Sequence, residues 1–255
     1  FVFRKSDNSF TPTGELDSNI LDRGNELTSS NSLFDANLAG LWHLNSNGSG
    51  IDYNDSSLNS NTGSCSTTCP TKTSGLWDTN AALFSSGKYV DLNKQVSLDA
   101  TSALTLSAWI NMAAANTNNG ILFKGALSSS QGVYSLGFFN GTSSKLTARL
   151  NGSTTEGSGQ LTSPNILSPG VWQHVVFVYD GSKMYLYENG LLVASNNYST
   201  PINITTETLK LGCYYNTNFC FNGAIDEVVV WNRALSASDV NTLYVSQKGN
   251  WLDNN

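Results

Sequence analysis

Short segments in which apolar and polar residues alternate, separated by turns, fill most of the chain from Leu38 onward. A period of two is typical of strands that bury one face. The alternation predicts eight strands, over residues 103–112, 133–139, 145–150, 172–179, 184–188, 191–195, 208–212 and 224–231. Many short strands with few helices predict an all-β fold of two packed antiparallel sheets.

Local signals predict the turns between these strands and one short helix near the end of the chain. Asn189-Gly190 favours a type I′ hairpin, because both central residues of that turn take a positive φ. Ser236 can cap a helix that runs to about residue 244. Asp239 stands at its third position, where a carboxylate complements the free N–H groups.

Residues 1–37 have no strong periodicity, apart from one short helix that the pattern allows over 16–27. The chain begins with an apolar triplet, Phe1 to Phe3, followed by Arg4 and Lys5. This start fits the exit of a removed membrane helix, an arbitrary start or a short strand. We therefore predict an extension or linker over 1–37, with a role in anchoring or assembly, and a single domain over 38–255.

The charge balance and the length of the apolar runs each exclude one class of protein, a nucleic-acid binder and a membrane-spanning chain. The net charge is −6 with only 13 Lys and Arg, so the chain lacks the basic face that a nucleic-acid binder needs. No apolar run reaches the ~18 residues of a membrane span. Charged residues make up only 13 % of the chain, and amides and hydroxyls supply most of its polarity. Such a composition is typical of extracellular or cell-surface proteins.

The four cysteines occur as two close pairs, Cys65 with Cys69 and Cys213 with Cys220. An even count in close pairs predicts two local disulfides formed in an oxidising compartment. A four-cysteine zinc site is the alternative, although these spacings are poor for a zinc ribbon.

Six segments carry a resemblance to a known family. They are residues 84–90 (FSSGKYV), 104–110 (LTLSAWI), 170–176 (GVWQHVV), 186–190 (LYENG), 221–228 (FNGAIDEV) and 231–236 (WNRALS). Their order and spacing resemble a laminin-G-like jelly roll of the concanavalin A-like lectin/glucanase superfamily, over roughly residues 38–247. The resemblance implies two antiparallel sheets packed face to face. It also implies an extracellular binding or adhesion module, often for carbohydrate and often with bound calcium.

Catalytic carboxylates are not predicted, although this superfamily also contains glycosidases. A glycosidase needs two carboxylates across the scissile bond. Here the only acidic neighbours on a strand are Asp226 and Glu227, which alternation should point to opposite faces. His43 and His174 stand in apolar runs, where a structural role is the simpler interpretation. We therefore predict no enzyme and no catalytic residue.

Calcium is the metal that the loop over residues 52–63 favours, because that loop is dense in carboxylate and amide oxygens. It resembles the calcium loop of the family, which acts together with an acidic residue of the last long strand. The ligand set implied by this resemblance is Asp55 and Asn61, loop carbonyls near Asn59, and Asp226 as the distant carboxylate. Leu58 and Ser60 replace glycines of the family pattern, and an ordinary loop of Asn and Ser turns is the alternative.

Ligand binding is predicted at the loop over residues 213–220, where aromatic rings can stack on sugars and amides can bond their hydroxyls. The candidate residues are Tyr214, Tyr215, Asn216, Asn218 and Phe219. A disulfide across the loop would order these side chains before binding. A second candidate lies at the end of a strand, and consists of Phe138, Phe139 and Asn140 with Arg149 nearby.

Taken together, these patterns predict a non-catalytic extracellular module that binds glycan or a glycosylated surface. Two alternatives stay open. The chain could be the structural subunit of a surface or pilus-like filament that assembles through residues 1–37. It could also be an accessory domain of a secreted hydrolase.

Overall fold

The computed structural model describes residues 25–67, 69–76, 80–125, 132–139, 141, 143–214 and 218–248. The chain start and the helix predicted over 16–27 lie outside this range, except for residues 25–27, which are irregular. Within the described ranges, no helix combines the length and the apolar character that crossing a membrane requires.

Fourteen strands and one helix make up the described structure. In chain order they are β1 (Leu38–Trp42), β2 (Thr71–Ser74), β3 (Asn80–Phe84), β4 (Val90–Asp91), β5 (Leu104–Met112), β6 (Asn119–Gly125), β7 (Gly132–Phe138), β8 (Thr147–Leu150), β9 (Gln160–Thr162), β10 (Trp172–Tyr179), β11 (Lys183–Glu188), β12 (Leu191–Asn197), β13 (Leu209–Leu211), β14 (Gly223–Trp231) and α1 (Ala237–Lys248).

The strands form two antiparallel sheets, as the sequence predicts. An eight-stranded sheet has the order β12-β11-β10-β5-β14-β3-β2, with β1 paired to β14. A six-stranded sheet has the order β4-β13-β6-β7-β8-β9. All eight strands predicted from alternation are present, with ends shifted by up to two residues. The all-β, two-sheet prediction is confirmed.

Strands without alternation make up the remainder of the sheets. Residues 120–125 of β6 are buried without interruption, and so is all of β1. β4 and β9 have only two and three residues, which is too short for a periodic signal. A strand covered on both faces reads as a continuous apolar run, so sequence periodicity alone does not reveal it.

Apolar side chains fill two separate layers. The main core lies between the sheets, and its fully buried members include Trp42, Phe84 and Phe177. A second apolar layer covers the opposite face of the eight-stranded sheet, where Val240 and Leu243 of α1 pack. The eight-stranded sheet is therefore covered on both faces.

The predicted helix cap and hairpin turn are both present. The Asp239 amide donates to Ser236 Oγ at 3.1 Å, and the Ser236 amide donates to Asp239 Oδ2 at 3.0 Å. Asn189 and Gly190 have φ values of 50° and 78°, as a type I′ turn requires. α1 continues to Lys248, four residues beyond the predicted end.

Residues 25–37 pack against the sandwich. Leu27 and Leu33 belong to the second apolar layer, and Trp231 Nε1 donates to the carbonyl of Leu33 at 2.9 Å. Arg233 Nε lies 2.7 Å from Asp35 Oδ2. The described part of the predicted extension therefore contributes to the packing of the domain. Anchoring or assembly through 1–37 stays a prediction.

Both predicted disulfides are formed, Cys65 with Cys69 and Cys213 with Cys220. All four cysteines are thereby used, and the zinc alternative is excluded. Because disulfides form and persist in oxidising compartments, these bonds favour a secreted or surface protein.

Candidate functional site

The six-stranded sheet carries a row of polar and aromatic side chains on the face turned away from the main core. Antiparallel pairing aligns Lys210, Phe123, Ser135, Arg149 and Gln160 across five strands. Apolar neighbours of these residues along the strands, such as Leu122, Leu136 and Ala148, belong to the main core. Strand alternation therefore places the row on the outer face.

Phe123, Phe139, Arg149, Tyr214 and Phe219 meet on this outer face, and we call them the arginine–aromatic cluster. The ring centroids of Phe139 and Tyr214 lie 4.4 Å apart, and those of Phe123 and Tyr214 lie 4.7 Å apart. The Arg149 guanidinium lies 4.8 Å from the Phe139 ring centroid and 5.8 Å from that of Tyr214. Such distances are within the range of cation–π attraction.

Hydrogen bonds fix the plane of the Arg149 guanidinium. Nε donates to Gln160 Oε1 at 2.7 Å, Nη1 to the Tyr214 hydroxyl at 3.1 Å and Nη2 to the Phe139 carbonyl at 3.1 Å. Only 9 % of Arg149 is exposed. The cluster is therefore ordered by the protein itself.

The two described ends of the loop over residues 213–220 lie directly on β6. The amide of Gly120 donates to the carbonyl of Phe219 at 3.1 Å, and the amide of Tyr214 donates to the same carbonyl at 2.9 Å. A Cβ on Gly120 would stand 2.4 Å from the Tyr214 nitrogen, so only glycine permits this approach. The disulfide between Cys213 and Cys220 closes the loop at this point.

The structure assigns different positions to the residues predicted for ligand binding. Tyr214 is only 2 % exposed, so its ring supports Arg149 instead of offering a face to a sugar. Asn218 is exposed and Phe219 is half-buried. Tyr215 and Asn216 lie outside the described residues.

The second candidate divides between the two faces of the sheet. Phe138 points into the main core and stacks on Phe221 at 6.3 Å, so its predicted role in binding is wrong. Phe139 joins the arginine–aromatic cluster, and Arg149 is indeed nearby. Asn140 lies outside the described residues. The sequence analysis missed Phe123 and Gln160, which only cross-strand register brings to the site.

The loop predicted for calcium is held together by its own hydrogen bonds. Asp55 Oδ1 accepts from the amides of Leu41 and Ser57, at 2.9 and 2.8 Å. Oδ2 accepts from Ser57 Oγ at 2.8 Å and from the Asn61 amide at 2.7 Å. Four donors thus occupy the acceptor sites of this carboxylate, so Asp55 does not fit a calcium ligand in this arrangement.

The other predicted calcium ligands have protein partners as well. Asn61 Oδ1 accepts from Ser97 Oγ at 2.9 Å, and Asn59 Nδ2 donates to the Leu38 carbonyl at 2.8 Å. Asp226 Oδ2 accepts from the Leu76 amide at 3.1 Å. These contacts attach the loop to β1 and hold Asp226 in the sheet. Calcium binding stays a prediction.

A bulge in β14 corrects the expectation that Asp226 and Glu227 point to opposite faces. The pairing of β14 with β5 shifts between Asp226 and Val229, and Glu227 has φ of 47°. A bulge opposes two residues to one and breaks the alternation. Burial and the neighbouring Glu227 charge raise the pKa of Asp226 well above its usual value.

Glu227, His43 and Glu26 form a second polar cluster, with one ligand atom of each within 4.8 Å of the others. Glu227 Oε1 lies 2.7 Å from His43 Nδ1, and burial raises the pKa of Glu227. Burial alone would lower the pKa of His43, but the hydrogen bond and charge of Glu227 outweigh it and raise the pKa. Residues of these types could hold a divalent metal.

Each member of this second cluster already has a protein partner. Asn45 Nδ2 donates to Glu26 Oε1 at 2.6 Å, and Gln247 Nε2 donates to Glu227 Oε2 at 3.2 Å. The cluster therefore joins residue 26, β14 and α1 by ion pairs and hydrogen bonds. We assign it a structural role.

The structure is thus a two-sheet antiparallel sandwich with a polar and aromatic cluster on one outer face. A laminin G family model of the concanavalin A-like lectin/glucanases superfamily matches residues 84–241. The chain belongs to this superfamily. A search of curated protein sequences gives no match.

Solved structures with the same fold come from several bacterial proteins. Domain 4 of AbnA, a GH43 extracellular arabinanase from Geobacillus stearothermophilus solved with arabinotriose, is 20 % identical with a TM-score of 0.65. The match covers 82 % of this chain and 98 % of that domain. The binding domain of Paraclostridial Mosquitocidal Protein 1 is 18 % identical with a TM-score of 0.62, over 83 % of this chain and 52 % of that one.

A third similar structure is the CBM40 domain of the Ruminococcus gnavus IT-sialidase bound to α2,3 sialyllactose. It is 18 % identical with a TM-score of 0.54, and the match covers 65 % of this chain and 96 % of that domain. At these identities the likeness establishes the shared fold.

Proposed function

We propose that this chain is a non-catalytic carbohydrate-binding module of a secreted or surface protein, and that its site is centred on the arginine–aromatic cluster. The observation that carries the proposal is this cluster, held on the outer face of the six-stranded sheet. Similar folds bound to arabinotriose and to sialyllactose support it. The two disulfides support an oxidising, extracellular location.

The chemistry at the edge of the cluster suits a sugar. The half-buried ring of Phe219 offers an apolar surface, while the exposed Asn218 supplies an amide for hydroxyl groups. The Cys213–Cys220 disulfide and the contacts on β6 order the two ends of the loop in advance. A ligand therefore loses less free energy in ordering the site.

A non-catalytic role is supported by the position of the acidic residues. Asp226 and Glu227 are neighbouring carboxylates on β14, and each is only 1 % exposed. Glu227 is engaged by His43 and Gln247, and Asp226 by the Leu76 amide. A glycosidic bond cannot reach carboxylates buried in this way, and glycoside hydrolysis needs two that flank the bond.

A glycan array followed by titration calorimetry tests the proposal. We expect at least one glycan to bind the unaltered protein and Phe219→Ala to weaken that binding about tenfold, by loss of stacking surface. Leu58→Ala removes an exposed apolar side chain elsewhere and is the matched control, which should bind like the parent. An array without any signal would refute the proposal. Equal affinity of Phe219→Ala and the control would mean that Phe219 is not part of the binding site.

An accessory domain of a secreted hydrolase is the second candidate, and the likeness to domain 4 of an extracellular arabinanase favours it. In that case the preferred ligand would be a polysaccharide instead of a short surface glycan. Co-sedimentation with insoluble arabinan, compared with insoluble cellulose, distinguishes the two candidates.

A further inference from the structure

Arg149 is a buried cation whose contacts with other described residues include no carboxylate. No Asp or Glu of the described residues lies within the 4 Å ion-pair distance of its guanidinium. Burying a charge in this way costs free energy unless a counter-charge compensates it.

Two other cations that are buried or half-buried form ion pairs with carboxylates. Lys124 is fully buried, and its Nζ lies 2.9 Å from Asp99 Oδ1. Arg233 is half-buried and contacts both Asp35 and Asp239, at 2.7 and 3.4 Å. Both have a carboxylate of their own. Arg149 instead has aromatic rings, an amide oxygen, a hydroxyl and a carbonyl.

The donors of Arg149 suit a ligand carboxylate. A guanidinium has five N–H groups, and the contacts to Gln160, Tyr214 and Phe139 use three of them. Each Nη nitrogen keeps a second N–H, and this pair matches the two oxygens of a carboxylate. The rings of Phe139 and Tyr214 hold the guanidinium plane in place, so little ordering remains to be done on binding.

Other charges on the outer face limit the size of the anion. Gln160 Nε2 donates to Glu156 Oε2 at 3.3 Å, which brings one exposed carboxylate to the β9 side of the row. At the opposite side Thr208 Oγ1 donates to Asp91 Oδ2 at 3.1 Å and accepts from Lys210 Nζ at 3.4 Å. Acidic groups thus flank the central cation. A single carboxylate fits this pattern better than a polyanion.

We propose that Arg149 selects glycans that carry a carboxylate, such as a uronic acid or a sialic acid, over neutral glycans of the same shape. The inference rests on the proposed function, because it names the ligand class of the same site.

Matched pairs of sugars test the inference with the unaltered protein. The probes are 3′-sialyllactose against lactose, and the methyl glycoside of galacturonic acid, which carries one carboxylate, against its methyl ester, titrated by calorimetry at low and high salt. We expect the acidic member of at least one pair to bind at least about tenfold tighter. Added salt should reduce that preference. The pair whose acidic member binds more tightly shows whether the carboxylate belongs to a sialic acid or to a uronic acid.

Three variants assign the preference to Arg149. Arg149→Lys keeps the charge but loses the planar pair of donors, and should lose most of the acid preference. Arg149→Gln should lose it completely. Lys210→Gln removes the other cation of the row and should keep it. Circular dichroism and Tm establish that each variant is folded. If the Arg149 variants fail to fold, the sugar pairs and Lys210→Gln still show whether the protein prefers acidic glycans and whether Lys210 causes that preference.

The outcomes separate this inference from the proposed function. Equal binding of acidic and neutral sugars would overturn the inference and leave the proposed function intact. Acid preference that Lys210→Gln abolishes, or that Arg149→Gln retains, would also overturn it. If no array glycan and none of the four probes binds, the proposed function and the inference both fail.

Discussion

At the scale of the residue, burial decides what each titratable side chain contributes. His174 is fully buried and hydrogen-bonded to Ser107 Oγ at 2.8 Å, and its ring lies 5.2 Å from that of Trp109. Burial lowers the pKa of His174 to about 3. The side chain is therefore neutral in the folded protein but takes up a proton below about pH 6.5 in the unfolded chain.

We expect the stability cost of His174→Gln to shrink by about 2 kcal/mol between pH 7 and pH 5. The folded pKa is depressed, so the unfolded state binds more protons as the pH falls through 6.5 and the native contribution of His174 is lost. Urea denaturation at pH 7, 6 and 5 measures the difference between parent and variant.

The other histidine provides the control of opposite sign. The folded pKa of His43 is raised, so its stabilising contribution is fully present below 6.5 and is lost as the pH rises through the folded pKa. The cost of His43→Gln should therefore grow as the pH falls. If His174→Gln lowers the stability by the same amount at all three pH values, His174 is not held neutral by burial in the folded protein.

Asp55 is the second residue whose environment determines its role. We expect Asp55→Ala to lower the stability by about 3 kcal/mol, because it leaves the amides of Leu41, Ser57 and Asn61 without their acceptor. Thermal unfolding of parent and variant, each with calcium and with EDTA, measures the loss. The hydrogen bonds predict an equal loss in both conditions. A Tm of the parent that falls with EDTA, while that of the variant does not, would instead bear out calcium at this loop.

At the scale of the element, the site depends on the close contact between β6 and the disulfide loop. Gly120 forms a bridge with Cys220 and lies under the backbone of Tyr214. Gly137 on the adjacent strand leaves room for the Phe139 ring, since a Cβ there would stand 2.7 Å from the ring. Small residues on two neighbouring strands thus create the space that the cluster fills.

We expect Gly120→Ala to destabilise the protein by about 1–3 kcal/mol and to weaken glycan binding, because the added Cβ displaces the Tyr214 backbone. Denaturant unfolding and calorimetric binding measure the two effects. Gly50→Ala is the matched control: no heavy atom lies within 4 Å of the added Cβ, so stability and binding should remain close to the parent. Unchanged glycan binding by Gly120→Ala would mean that the loop does not contribute to the binding site.

At the scale of the whole molecule, residues 25–37 and α1 together cover the eight-stranded sheet. The amide of Asn25 donates to the carbonyl of Ser246 at 2.8 Å, so the segment entering the domain meets the helix that ends it. Leu27, Leu33 and Leu243 share one apolar layer with Trp231. The two sequence-distant segments therefore form one packing unit.

We expect deletion of residues 1–37 to cost about 3 kcal/mol more than deletion of residues 1–24, because it uncovers the layer that Leu27 and Leu33 fill. Denaturant unfolding of the two truncated proteins measures the difference. Equal stability of the two would mean that residues 25–37 do not belong to the domain. The sites on the six-stranded sheet are remote from this layer, so glycan binding should be the same in both proteins.

Sequence patterns predicted much of this architecture, since their signals are local. Alternation located eight strands, five in the eight-stranded sheet and three in the six-stranded sheet. The Asn189-Gly190 dipeptide located a hairpin, and Ser236 with Asp239 located the helix start. Strands buried on both faces, such as β6, carry no such signal. The bulge at Glu227 was missed for a related reason, because it depends on pairing with another strand.

By itself the sequence determined the fold class and the two disulfides, because periodicity and cysteine spacing act over short distances. Only the tertiary structure decided which side chains meet. Cross-strand register brought Phe123 and Gln160 to Arg149, and burial turned Tyr214 from a predicted sugar platform into a support for that guanidinium. Contacts between residues far apart in the chain depend on strand pairing and on side-chain volume, and these are properties of the assembled sandwich.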